Sequence, residues 1–184
     1  MGKVVVSSFI SLDGYTEAPN REMVPPAPSP DLFRHFIEPN LTRGDIFIYG
    51  RVTYEMMVGY WTSSAADAKE AARLAAMRKV VFSKTLQKAD WGRASIARGD
   101  DLAADVAAMR RETGRDMTII GSATLANAFL RAGLVDAFHL LVTPVVLGGG
   151  TPLFQGGYAR QKLALTEARP LDSGAVLMRY ERAA

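Results

Sequence analysis

The chain contains no cysteine, which removes disulfides and thiolate chemistry together. Histidine is nearly as scarce. His35 and His139 are the only two, far apart and outside any ligand-spaced motif, so no metal site is expected. No apolar run reaches the roughly 18 residues that a membrane-spanning helix needs. The N-terminus enters a strand directly instead of passing through a basic and apolar leader, so the expected location is the cytoplasm, with no membrane partner. Charge of one sign is not in excess: 22 Lys and Arg against 19 Asp and Glu leave +3. The arginines are scattered, which offers no basic stripe to a nucleic acid. A Gly-x-Gly-x-x-Gly turn, a P-loop and a Gly-x-Ser-x-Gly elbow are all missing, and the first strand runs instead into Ser11-Leu12-Asp13-Gly14.

What is present is ordinary globular composition, 48% hydrophobic and 22% charged over 184 residues, enough for one domain spanning 1–184. The most informative stretch is 116–154. Residues 117–120 form a short apolar run that reads as a buried strand, and Gly121 turns the chain. Ser122 is placed to cap a helix over 123–131 whose inner stripe is Leu125, Phe129 and Ala132. Gly133 ends it, and residues 138–142 resume as a strand before Gly148-Gly149-Gly150. Upstream, 3–9 and 45–49 are buried strands, 79–83 is a third, and 95–97 is a short one. Helices are expected from Ser29-Pro30-Asp31, from near Thr53, over 64–77, and from Asp100 or Asp101 to about 113. Residues 163–169 and 175–180 read as a closing antiparallel pair. The fold class is therefore α/β, with a mixed, mostly parallel sheet between two helix layers. Between them, residues 15–30 carry five prolines and predict no regular element, either a lid or a mobile surface insertion.

Three strands are followed by turns suited to phosphate: Gly50-Arg51, with Thr53 two residues on, Ser83-Lys84, and Gly121-Ser122. Helix starts offer free N–H groups, and Arg51 adds a guanidinium. If the three strands share one sheet edge, a long anionic ligand can cross it. Each residue also has a plainer reading. Arg51 can pair with a neighbouring carboxylate, Asp31 can simply complement its helix dipole, and Gly148–Gly150 can serve a tight turn.

The opening KVVVSSFISLDGY, then DIFIYGRVTYEMM, KVVFSKTL, TIIGSATLANAFLRAGLVDAFHLLVTPVVLGGGTPLF and SGAVLMRY resemble the dihydrofolate reductase-like family. Within it, the similarity is to the C-terminal reductase domain of the bifunctional riboflavin-biosynthesis deaminase/reductase. The resemblance implies a three-layer sheet of about eight strands, NADPH as hydride donor and frequently a homodimer. No deaminase domain precedes it, so a stand-alone reductase unit is expected. By motif, Gly50, Arg51 and Thr53 would bind cofactor phosphates, and Ser83 and Lys84 would lie by the adenosine ribose. Gly121, Ser122, Ala123 and Leu125 would hold the pyrophosphate and nicotinamide side, with Phe9 and Ile10 flanking the nicotinamide.

On the substrate side the resemblance points to Asp13, Asp31, Gly149, Gly150 and Thr151, with Asp31 as the candidate catalytic or substrate-anchoring acid. The implied activity is NADPH-dependent reduction of a nitrogen heterocycle, nearest to 5-amino-6-(5-phosphoribosylamino)uracil. Dihydrofolate reduction and non-catalytic nucleotide binding are the alternatives. One departure bears on substrate: Ala137 stands where family members often carry an acid after Val-Asp.

Overall fold

A computed structural model describes residues 2–183. Its main sheet has eight strands in the order β5-β4-β3-β6-β1-β7-β10-β9, and a second, two-stranded sheet joins β2 and β8. The strands are β1 Val4–Ile10, β2 Tyr15–Glu17, β3 Gly44–Gly50, β4 Arg78–Phe82, β5 Arg93–Ala97, β6 Asp116–Ile120, β7 Ala137–Val142, β8 Thr151–Pro152, β9 Leu163–Pro170 and β10 Val176–Arg182. From β5 to β7 every pairing is parallel. β10 then pairs antiparallel with both β7 and β9. This is the α/β three-layer arrangement with a mixed, largely parallel sheet that the sequence implies, in dihydrofolate reductase-like topology.

Period-two alternation sorts the layers. Ile46 and Ile48 of β3 point to one face, where Val106 and Met109 of α5 (Leu102–Glu112) and Phe129 and Leu130 of α6 (Ala123–Arg131) cover them. Phe47 and Tyr49 point to the other, under Tyr54 of α3 (Arg51–Trp61), Leu74 of α4 (Ala68–Ala76) and Leu41 of α2 (Glu38–Arg43). Leu32 of α1 (Pro30–Leu32) and Phe36 pack on Leu141 and Leu177 at the β7–β10 end of that face. Among the described residues no helix is long and apolar enough to cross a membrane.

Three local expectations are corrected. Residues 15–17 do hold a strand, because Thr151–Pro152 supplies the partner edge. The helix expected from 64 begins at Ala68, where Asp67 accepts from the N–H of Glu70. The helix from Pro30 widens into a π-helical segment at Phe33–Ile37 before α2. Phe33 is thereby left exposed while Phe36 is buried.

Candidate functional site

Six parallel strands present their carboxyl ends on one edge, and β4, β3, β6, β1 and β7 are successive neighbours there. The turns at Ser83-Lys84, Gly50-Arg51 and Gly121-Ser122 therefore stand side by side, about 5 Å apart per strand. The register supports this: β3 residues 46–48 pair with β6 residues 117–119, and Gly50 lies opposite Phe82 of β4.

The two central turns interlock. Gly50 caps α3 in an extended conformation with no side-chain cap bond. A Cβ at Gly50 would collide with Ser122 Oγ. Gly121 and Ser122 are both left-handed, at φ 55° and 50°, a costly conformation for the serine. In that conformation Ser122 makes no side-chain cap bond to α6, contrary to the expected cap. A Cβ at Gly121 would lie 3.5 Å from Thr53 Cγ2. Three other helices, α1, α4 and α5, are finished differently. Ser29 accepts from Leu32 N, Asp67 from Glu70 N and Asp101 from Ala104 N. Two helix starts without side-chain caps thus converge, their first-turn N–H groups directed to the same edge.

The cations beside them are held loosely. Arg51 pairs with Glu55 on its own helix at 2.9 Å, and Lys84 with Asp100 at 3.1 Å. Both pairs are exposed, so each can exchange its partner at little cost. Ser83 is buried, and its Oγ accepts from the N–H groups of Thr85 and Leu86 at 3.2 and 2.9 Å. Ala123 is buried and Leu125 packs against the α5–α6 core, so what they can offer a ligand is backbone N–H. Ile10 is buried, and its carbonyl accepts from Thr143 N at 2.8 Å. Phe9 is half-buried with its ring 5.3 Å from that of Phe36.

At the β1–β7 end the polar groups are already engaged. Asp13 accepts from Ser11 Oγ at 2.6 Å, Leu147 N at 3.1 Å and Gly148 N at 2.8 Å. The Ser11 hydroxyl and then the Leu147 and Gly148 amides hold its carboxyl down at about 2. Thr151 Oγ1 donates to Glu17 at 2.7 Å, and Thr16 Oγ1 donates to the Thr151 carbonyl at 3.0 Å. Gly150, at φ 123°, packs so closely on the Glu17 carbonyl and on Ala18 that no Cβ would fit. Gly149 lies against Pro19. Asp31 stands further along, over the β9–β10 turn. It accepts from Asp172 N and faces His35 Nε2, both at 3.2 Å.

Sequence reasoning missed a polar line beneath α2. Asn40 Nδ2 donates to Ser7 Oγ at 3.0 Å, which leaves Asn40 Oδ1 to accept from His139 Nδ1 at 3.1 Å. Burial, then the nearby Arg179 and Arg43, push His139 down to about 4, so the ring is neutral at pH 7. The signal was a serine and a histidine in strand positions otherwise apolar. Ala137 begins β7, at the edge of the sheet opposite the three turns.

The model of the family described as "RibD C-terminal domain" matches residues 2–177. A Bacillus subtilis protein, YyaP, described as uncharacterized, is 31% identical over 183 residues, covering 97% of this chain and 94% of YyaP. A crystal structure from Shewanella sp. PV-4, provisionally described as a riboflavin biosynthesis protein, superposes with TM-score 0.73 at 22% identity, covering 99% of both chains. The Thermotoga maritima diaminohydroxyphosphoribosylaminopyrimidine deaminase/5-amino-6-(5-phosphoribosylamino)uracil reductase superposes with TM-score 0.67 at 14% identity, over 99% of this chain and 57% of its own.

Proposed function

The chain belongs to the RibD C-terminal domain family, and from that premise we propose that it is an NADPH-dependent reductase of a nitrogen heterocycle. The observation that carries the reading is the paired, uncapped starts of α3 and α6 at neighbouring strand ends, with Ser122 filling the space a Gly50 side chain would need. A dinucleotide pyrophosphate suits that cradle because it replaces the missing caps with anionic oxygens. Arg51 and Lys84, both exposed, flank it and suit the additional phosphate that separates NADPH from NADH. The bound nicotinamide would supply the hydride.

The chain's own part is to orient and to exclude water. A flat ring would lie at the end of β1, where the Phe9 side chain turns to the α1 face beside Phe36 and the Ile10 side chain to the α5–α6 face. Asp31 is the acid assigned to the amino-pyrimidine edge of a substrate, using lone pairs beyond those given to Asp172 N and His35. Reduction of a C=N bond needs one proton on nitrogen, which water can deliver. The nearest named substrate is 5-amino-6-(5-phosphoribosylamino)uracil, with dihydrofolate as the other enzymatic option. A homodimer, which the family resemblance implies, completes the proposal, and light scattering reads it directly.

A second reading has its own observation. The carboxylates of Asp13, Glu17 and Asp31 are all engaged within the protein, which suits a nucleotide-binding protein without turnover. NADPH oxidation against a panel of ribosylaminopyrimidines and pterins decides between them. Substrate-dependent oxidation supports the reductase; tight NADPH binding without oxidation on any member supports the binding protein.

A further inference from the structure

β10 has two unlike faces. On one, Leu177 is buried with Leu32 and Phe36, and Arg179 pairs with Glu167 of β9. The other follows from register. Val176, Met178 and Tyr180 stand opposite Val142, Leu140 and Phe138 of β7, and directly paired residues share a face. Phe138 and Leu140 belong to the core beneath α5 and α6, so this is the α5–α6 side. Across β9 the same face is continued by Pro170 and Ala168 and, past the bulge at Arg179/Tyr180, by Leu165 and Leu163. There it runs out of cover. Leu163, Leu165 and Val176 are exposed, Leu165 by 54%, and every β9 residue except Glu167 is exposed. Phe154, its ring 5.6 Å from that of Phe138, adds an exposed aromatic at the margin.

An edge strand with an apolar, uncovered face is a surface for association, and the charges at its two ends indicate with what. Beside the start of β9 stand Arg160, Lys162 and Arg182, with Arg131 against Gly157. Among the described residues none of the four is in an ion pair. At the other end stand Asp172 and Asp31, which accepts from the Asp172 N–H at 3.2 Å. An anionic membrane would be drawn to the first end and repelled from the second. A second copy of this chain can satisfy both. We propose that the α5–α6 side of β9 and β10 is the homodimer face, a second copy packing on it with its strands antiparallel to those of the first. A two-fold axis lying between the sheets and across the strands has this effect. It covers Leu163, Leu165 and Val176 with their counterparts and sets the basic end of each copy on the acidic end of the other. The inference rests on the homodimer that accompanies the reductase reading and gives it a location; the turns at Gly50 and Gly121 take no part in it.

Sedimentation equilibrium of the full chain tests this, with far-ultraviolet circular dichroism to check that each variant is folded. The unmodified protein should be a dimer at about 10 μM. Leu165→Glu, at a position already exposed within the chain, should raise the dimer Kd by about a hundredfold or more. Leu163→Glu must act in the same direction should the first variant not fold. Met56→Glu, on the exposed side of α3, is the control and should leave the dimer intact. Lys162→Glu should weaken the dimer by about tenfold, and adding Asp172→Lys should restore most of that loss. A dimer as tight in Leu165→Glu as before, or broken by Met56→Glu instead, overturns the face while the homodimer stands. A second charge reversal that restores nothing overturns the antiparallel arrangement. A monomeric unmodified chain overturns face and homodimer together, and its sedimenting with anionic phosphatidylserine vesicles would identify a lipid surface as the occupant. The reductase reading fails separately, through the absence of NADPH oxidation on any substrate.

Discussion

At the β3–β6 half of the carboxyl edge, α3 and α6 begin without side-chain caps, and their N–H groups meet at a shared cradle. At the β1–β7 half, Asp13 takes the amides of Leu147 and Gly148, and Glu17 takes the hydroxyl of Thr151. Both halves are strand-to-turn junctions rich in glycine, and both look receptive to anions in a one-dimensional reading. They differ in whether the chain itself supplies the anion. A donor left open is stabilised by a ligand, whereas a donor already satisfied holds a loop in shape. Ligand affinity should therefore respond to substitutions in the first half, and loop geometry to substitutions in the second.

The contrast breaks most sharply at Gly50. Gly50→Val would drive two methyl groups into Ser122 Oγ and force apart the two helix starts. NADPH affinity should fall by roughly a hundredfold or more, with a stability loss of about 1–3 kcal/mol from overpacking. Calorimetric titration and a melting curve read the two effects separately. Unchanged affinity would show that the cradle is not where the cofactor binds.

Acid should act on the other half. His139 has its folded pKa near 4, below the ordinary value of 6.5, because it is buried beside Arg179 and Arg43. Above pH 6.5 it is neutral folded and unfolded alike. As pH falls from 6.5 toward 4 the unfolded chain takes up the proton first, so stability drains away over that window. The expected loss by pH 4.5 is on the order of 2 kcal/mol, measured by urea unfolding at both ends. His139→Gln should flatten the slope. Hydrogen exchange should show α1 and α2 loosening before α3 and α6, because Asn40 ties α2 to His139 and Ser7.

Asp31→Asn sharpens the substrate side. Turnover should drop by about tenfold while NADPH affinity holds, since the cradle stands on other strands. Unchanged kcat/KM with a slightly lower Tm would reduce Asp31 to a brace between α1 and the β9–β10 turn. The smallest effect is expected at Lys84. Its partner Asp100 is as exposed as Lys84 itself, so Lys84→Ala should leave stability nearly unchanged. It should narrow the NADPH-over-NADH preference by about tenfold at most.

The sequence by itself determined the layers. Alternation of Ile46 and Ile48 with Phe47 and Tyr49 assigns two faces to β3, and the strand–helix order calls for a parallel sheet. It also located the Gly50-Arg51 and Gly121-Ser122 turns, because glycine at a strand end before a helix leaves unpaired donors whatever the rest of the fold does. What only the tertiary structure decided is which donors stay open. Asp13 finds Leu147 and Gly148 more than 130 positions away, Ser122 fills the space beside Gly50, and Asn40 reaches His139 across α2 and β7. Those partners are chosen by strand order, which brings β1 between β6 and β7. A local pattern can announce that a hydrogen-bonding group exists. Which partner it meets depends on contacts across the chain, and in this protein that separates two open helix starts from a locked loop.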